Sequence, residues 1–292
     1  MHELIEALTS GGPVVTDGAW GTQLQARGLK PGECPDAWNL THPDRVEEVG
    51  RAYVEAGSQV ILTNTFGAHR FMLARHGLAD RVEEINRAGV EISRLAAAGR
   101  ARVFASVGPS GVMLMMGQVA PGELQEAFAQ QTRAMAAAGA DGIVIETMGD
   151  LAEAKLAVAA ARETGLPVVA CMTFDSGKHR DRTMMGVTPE EAAEQLTEAG
   201  ADVIGSNCGQ GIEGFVALCG RLKSATDRPI WIKANAGLPQ VVDGQTVYSQ
   251  TPEDFASHVP PLVEAGASFI GGCCGTNPDF IRAIAAELVR GE

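Results

Sequence analysis

Apolar residues along this chain alternate between two spacings. Short runs rich in β-branched residues, apolar nearly throughout and ending in Gly, Asn or small polar residues, are followed by Ala-, Glu- and Leu-rich stretches of helical period. Eight such runs occur, at residues 14–21 (VVTDGAWG), 60–66 (VILTNTF), 103–109 (VFASVGP), 142–148 (GIVIETM), 167–174 (PVVACMTF), 202–208 (DVIGSNC), 229–237 (PIWIKANAG) and 268–275 (SFIGGCCG). Between them the spacing predicts helices over 43–56, 122–138, 151–164, 189–199 and 252–265, with 278–289 closing the chain. Strands apolar on both faces, each followed by a helix, require a parallel sheet covered by helices.

An internal echo supports the register. Ala-Gly-Ser at 56–58 and Ala-Gly-Ala at 138–140, 199–201 and 265–267 stand just before the second, fourth, sixth and eighth strands. Such a glycine takes the left-handed conformation that ends a helix and turns the chain into the next strand. Eight units of this kind close most economically as a single (β/α)8 TIM barrel, an α/β fold, occupying residues 1–292 as one domain. A doubly wound open sheet is the alternative, and no G-x-G-x-x-G follows the first strand to support it.

With 292 residues, 45% hydrophobic and 20% charged, the chain has ample material for such a core. Its 23 basic and 36 acidic residues give a net charge of −13. That excess repels nucleic acid and anionic membrane surfaces and leaves small molecules as the expected ligands. No basic region with an apolar stretch opens the sequence, and no run approaches the roughly 18 apolar residues of a membrane span. A cytoplasmic location is therefore expected.

Active-site residues of such barrels stand at the C-terminal ends of strands. Here these are Asp17-Gly18, Asn64-Thr65, Gly108-Pro109, Glu146-Thr147, Thr173, Asn207-Cys208, Asn235 and Cys273-Cys274. Three of the six cysteines thus converge on one rim. Clustered thiols in a reducing compartment suggest metal or catalysis rather than a disulfide. A soft divalent ion, zinc foremost, binds thiolates, and three protein ligands with one open position mark a catalytic site. Gly271, Gly272 and Gly275 let the backbone bend so that the neighbouring side chains of Cys273 and Cys274 point at one centre. The competing reading makes each cysteine a small buried hydrophobe. It suits Cys34, Cys171 and Cys219, which fall in a loop, a strand and a helix.

Three thiolates on a dication leave a net charge of about −1. Such a metal activates water poorly, but it holds a substrate thiol deprotonated and nucleophilic. Alkylation of that thiol neutralises one charge and favours release, so the electrostatics point to thiol alkylation. Asp17 and Glu146 are placed to hold a cation such as an α-ammonium, and the backbone amides of Gly18 and Ala19 to receive a carboxylate. The blander alternative has Asp17 cap a turn and Glu146 cap the helix near Leu151. Asn64 and Thr65 either line the rim or satisfy strand-end backbone groups. None of His2, His42, His69, His76, His179 and His258 adjoins the cysteine motifs, so all read as surface or packing residues.

These residues together resemble the homocysteine S-methyltransferase family, which includes the homocysteine-binding barrel of cobalamin-dependent methionine synthase and betaine-homocysteine methyltransferase. The motifs that carry the resemblance are DGAWGTQL (17–24), TNTFGA (63–68), GPSG (108–111), ETMGDLAEAK (146–155), NCGQG (207–211), NAGLP (235–239) and GGCCGTNPDFI (271–281). NC and GGCCGT are specific jointly, whereas GPSG alone means little. The resemblance implies zinc on Cys208, Cys273 and Cys274, and methylation of homocysteine or a related small thiol to give methionine. It also implies the amino group on Asp17 and Glu146, the carboxylate on the amides of Gly18 and Ala19, and Asn235 beside the metal. Ala234 departs from a frequent proline and Asp279-Phe280 from a common histidine, and neither touches a predicted ligand.

A three-thiolate centre activates the nucleophile and not the leaving group, so the donor must carry its own activation as a sulfonium, a quaternary ammonium or a methylcorrinoid. The NTFGA motif, and a chain that stops soon after the closing helix, favour a corrinoid methyl donor supplied in trans by a separate protein, then a sulfonium, then betaine. Two other readings stay open. One is a barrel lyase or isomerase gripping phosphate with Gly271, Gly272 and the closing helix N-terminus, for which Lys233 is the only strand lysine. The other is a non-catalytic zinc or homocysteine carrier.

Overall fold

The computed structural model describes residues 1–242 and 245–290, so the expected unit over 1–292 includes residues 243–244 and 291–292 outside the described ones. Its strands are β1 (Val14–Val15), β2 (Val60–Leu62), β3 (Arg102–Val107), β4 (Gly142–Met148), β5 (Val168–Met172), β6 (Val203–Gly211), β7 (Ile230–Asn235), β8 (Gln240–Val242), β9 (Gln245–Val247) and β10 (Ala267–Gly272). Eight of them form one sheet in the order β1-β10-β7-β6-β5-β4-β3-β2, every pair parallel. With a helix between successive strands, this is the expected (β/α)8 barrel. β8 and β9 pair as an antiparallel hairpin in the connection after β7.

The seam between β1 and β2 is closed largely by side chains. The Gln59 amide donates to the Val15 carbonyl at 2.8 Å, while Gln59 Oε1 accepts from the Val15 amide at 2.9 Å. The Leu62 amide donates at 2.7 Å to Asp17 Oδ2, which stands in for a strand carbonyl. An unmade backbone bond this deep would cost about 1–3 kcal/mol, so Asp17 is part of the barrel's closure.

Alternation along each strand builds two cores. Inward residues Val14, Val60, Phe104, Val144, Val169, Val203, Trp231 and Phe269 fill the barrel, and outward residues pack under the helices. The helix Glu3–Thr9, which periodicity had not singled out, plugs the bottom by inserting Ile5 beneath that inner cluster. The four echo glycines, Gly57, Gly139, Gly200 and Gly266, all adopt positive φ between 87° and 107°, as their helix-ending role requires. The helix expected over 252–265 is broken into Pro252–Ala256 and Val259–Glu264, because Pro260 and Pro261 lack the amides that a continuous helix would use. Among the described residues, no helix is long and apolar enough to cross a membrane.

Candidate active site

The three strand-end cysteines converge at the barrel mouth. The sulfurs of Cys208, Cys273 and Cys274 lie within 4.8 Å of one another, with Cys208 and Cys274 4.0 Å apart. Cys208 reaches this position in the left-handed region, at φ 63°, where a side chain is strained. The opposite arm is held through backbone bonds: the Cys273 amide donates to the Ala234 carbonyl at 2.7 Å, and the Ala236 amide to the Cys274 carbonyl at 3.0 Å. Hydrogen bonds from the Cys273 and Cys274 thiols push the Cys208 thiol well below its ordinary value. The same bonds push Cys273 and Cys274 up, so the cluster bears one negative charge readily and further charges reluctantly.

Two features fit a soft divalent cation here. Three sulfurs share one centre, and the buried Asn235 Oδ1 beside Cys208 has no hydrogen-bond partner. A buried side chain against Cys208 with its amide oxygen left unpaired suits a site built around a further occupant. Cys34, Cys171 and Cys219 stay apart, as expected, in a loop, within β5 and on a helix. Burial raises Cys34 to about 11 and Cys219 to about 12, so both are thiols.

Below the thiols lies a floor of charge. Glu146 is buried, accepts from Ser106 Oγ at 2.5 Å on Oε1 and from Asn207 Nδ2 at 3.4 Å on Oε2. Burial raises its pKa above the usual carboxylate value, against the pull of Lys233 and Ser106. It does not cap the helix Leu151–Arg162, whose first turn is capped by Asp150. Asp17 is fully buried, with Oδ2 accepting from the Leu62 amide and from Trp20 Nε1, each at 2.7 Å, and Oδ1 paired with Lys233 Nζ. The Ala19 amide donates to Thr276 Oγ1 at 3.1 Å, and a side chain at Gly18 would strike the Tyr53 hydroxyl at 2.7 Å. Asn64 and Thr65 are buried and satisfy backbone groups: Asn64 Nδ2 donates to the Pro35 carbonyl, and Thr65 Oγ1 to the Ser106 carbonyl.

Sequence reasoning named Thr147 and Asn207 as strand-end residues and Lys233 as a strand lysine without the contacts they make, and it missed Tyr248. Asn207 is a clamp, with Oδ1 accepting from the Thr147 amide and Nδ2 donating to Thr147 Oγ1, both at 2.7 Å, which holds Thr147 at φ 62°. Tyr248, carried in after the hairpin, packs its ring against Gly275, and burial, with Cys274 near by, raises its hydroxyl's pKa. Lys233 points into the barrel and not toward the helices. The alternation Trp231, Lys233, Asn235 along β7 was the available signal, since period two places all three on one face.

Fold and site together define a parallel (β/α)8 barrel with a thiol triad and two carboxylates at the C-terminal ends of its strands. The homocysteine S-methyltransferase family profile matches residues 14–288, and the chain belongs to that family. It is 32% identical over 296 residues to methionine synthase of Mycobacterium tuberculosis, covering 94% of this chain and 24% of that enzyme. The chain thus spans about a quarter of that relative's length. To S-methylmethionine-homocysteine S-methyltransferase of Pongo abelii it is 27% identical over 304 residues, covering 98% of this chain and 81% of the relative. Its backbone is similar to the metallated form of the homocysteine methyltransferase MmuM from Escherichia coli, with TM-score 0.82 at 23% identity over 97% of this chain and 99% of that one.

Proposed function

We propose that this barrel is a zinc-dependent homocysteine S-methyltransferase that forms methionine from an activated methyl donor. The observation that carries the reading is the convergence of three sulfurs on one centre beside the unpartnered Asn235 Oδ1. Zinc held by Cys208, Cys273 and Cys274 would supply the Lewis acidity that keeps an acceptor thiol deprotonated near neutral pH. The chain's own residues do the rest. Glu146 faces the mouth with an incomplete hydrogen-bond shell and receives the acceptor's ammonium. The Gly18 amide takes the acceptor's carboxylate, and the Ala19 amide, which donates to Thr276 Oγ1 in this structure, joins it by exchanging that bond. Asn207 holds the β4 and β6 ends together, so thiols and carboxylate keep their separation.

Thiols and carboxylates assist a leaving group little, so the donor brings its own activation. A methylcorrinoid carried by a separate protein suits this best, and a sulfonium is second. The six free thiols suit a reducing, cytoplasmic setting. The lyase reading loses its nucleophile, because an ammonium paired with Asp17 in a field of carboxylates and thiols stays protonated.

Metal analysis and a donor screen test the proposal together. Cys34→Ala, Cys171→Ala and Cys219→Ala should retain one zinc per chain, while Cys208→Ala, Cys273→Ala and Cys274→Ala lose it along with homocysteine methylation. Stoichiometric zinc in all three of the latter would refute the assignment. Turnover with betaine alone would overturn the donor ranking, and zinc-loaded protein inert with every activated donor would favour the carrier.

A further inference from the structure

Lys233 has no part in the reaction as outlined, yet it is buried directly beneath the thiols at 2% exposure. Strand register sets it level with Gly271 of β10 and Asn207 of β6, one inward step above Trp231, which stacks between Phe104 and Phe269. An ammonium placed there without compensation would cost several kcal/mol. It has two anionic neighbours, Asp17, to which it donates, and Glu146, whose charge acts on it.

The two carboxylates are not equivalent. Both oxygens of Asp17 are engaged, by Lys233 on one side and by the Leu62 amide and Trp20 Nε1 on the other. Glu146 meets only neutral donors, Ser106 Oγ and, at 3.4 Å, Asn207 Nδ2, and it keeps 8% exposure toward the mouth where Asp17 has none. The floor sums to one net negative charge, which calls for one cation from outside.

We propose that Asp17 restrains Lys233 and does not itself bind the acceptor's ammonium: by holding the amine off Glu146, it leaves Glu146 alone to receive the acceptor's amino group. Lys233 is then a positioning residue that sets specificity for a thiol carrying exactly one amine. This inference rests on the proposed acceptor, and its consequence is specific. In Asp17→Asn the amide oxygen can still accept from Leu62 and Trp20, but its NH2 confronts a group that only donates. Lys233 turns to the next carboxylate, Glu146, and competes with substrate.

The test is a rescue. Asp17→Asn should raise the KM for homocysteine by about tenfold, the scale of one charge-assisted hydrogen bond, with kcat little affected. It should also erase the preference for homocysteine over 4-mercaptobutanoate, the same chain without the amine. Adding Lys233→Met removes the competitor, so the double variant should recover most of the KM and the preference although Asp17 is still missing. Glu146→Gln should stay impaired in either background. A double variant no better than Asp17→Asn would show that Asp17 meets the substrate itself and would overturn the inference. Independently of turnover, the crystal structure of Asp17→Asn should place Lys233 Nζ on Glu146, and Nζ left in its original position refutes the idea even if homocysteine proves not to be the acceptor. Should Asp17→Asn alone not fold, the comparison runs between Lys233→Met and the double variant, where an equal KM supports the inference and a tenfold rise on losing Asp17 overturns it, with thermal unfolding and zinc content as controls.

Discussion

Removing the Ser106 hydroxyl isolates the carboxylate on which acceptor recognition is proposed to rest. Burial raises the pKa of Glu146, and Lys233 and the 2.5 Å bond from Ser106 Oγ pull it back. A hydrogen bond to a buried charged acceptor contributes about 1.5–3 kcal/mol. Ser106→Ala therefore disfavours the charged form of Glu146 by that amount and moves its pKa further up. A protonated Glu146 cannot hold an ammonium, so the variant loses acceptor affinity only at pH values below its new pKa. Measured as kcat/KM for homocysteine against pH at saturating donor, the acidic limb should shift upward while the alkaline plateau meets that of the parent.

Stability should follow the same sign. The folded pKa of Glu146 lies above its unfolded value, so ionisation of this group opposes folding, and the penalty is complete above the folded pKa. Ser106→Ala deepens that penalty, and its destabilisation should fade as pH falls through the folded pKa, where the group is protonated with or without the serine. An unshifted acidic limb, or a destabilisation that persists at low pH, would show that Ser106 acts by packing and not on the charge of Glu146.

Three further expectations concern the scaffold. A methyl group at Gly271 would stand 2.0 Å from Thr16 Oγ1 and 2.6 Å from the Asp17 carbonyl oxygen. Backbone at that distance cannot yield freely, so Gly271→Ala should lower the unfolding free energy by about 3 kcal/mol or more in denaturant titration. Burial lowers His69 to about 4, its Nε2–H donating to the Pro109 carbonyl while Nδ1 caps the helix Arg70–Ala74. The unfolded chain takes up this proton first, so His69 contributes a loss of stability as pH falls from about 6.5 to about 4, and His69→Gln should flatten that slope. Burial holds Asp36 up from 3.8 to about 6, so the folded chain takes up this proton first and stability gains as pH falls from about 6 to about 3.8, a slope opposite to that of His69 that Asp36→Asn should remove in the same titration.

Periodicity alone carried the architecture. Eight runs apolar on both faces can be satisfied only between helices in a parallel sheet, and the Ala-Gly pairs before alternate strands mark where helices end, so the eight barrel strands and the rim their C-terminal ends share were legible, while the β8–β9 hairpin was not. The cysteines were legible for a related reason: strand ends of a closed barrel share one rim, which makes residues as distant in sequence as Cys208 and Cys273 neighbours by topology. What the chain order does not specify is how charges below the rim pair with one another. Asp17 reads in sequence as a free carboxylate, and in the fold it closes the β1–β2 seam and holds Lys233. Glu146 keeps a free face because its hydrogen bonds come from neutral donors, Ser106 Oγ and Asn207 Nδ2. Strand periodicity decides which face a side chain takes, whereas the partner it meets across the barrel depends on shear, seam geometry and the volume left by Gly271 and Gly205, and those are properties of the closed tertiary structure.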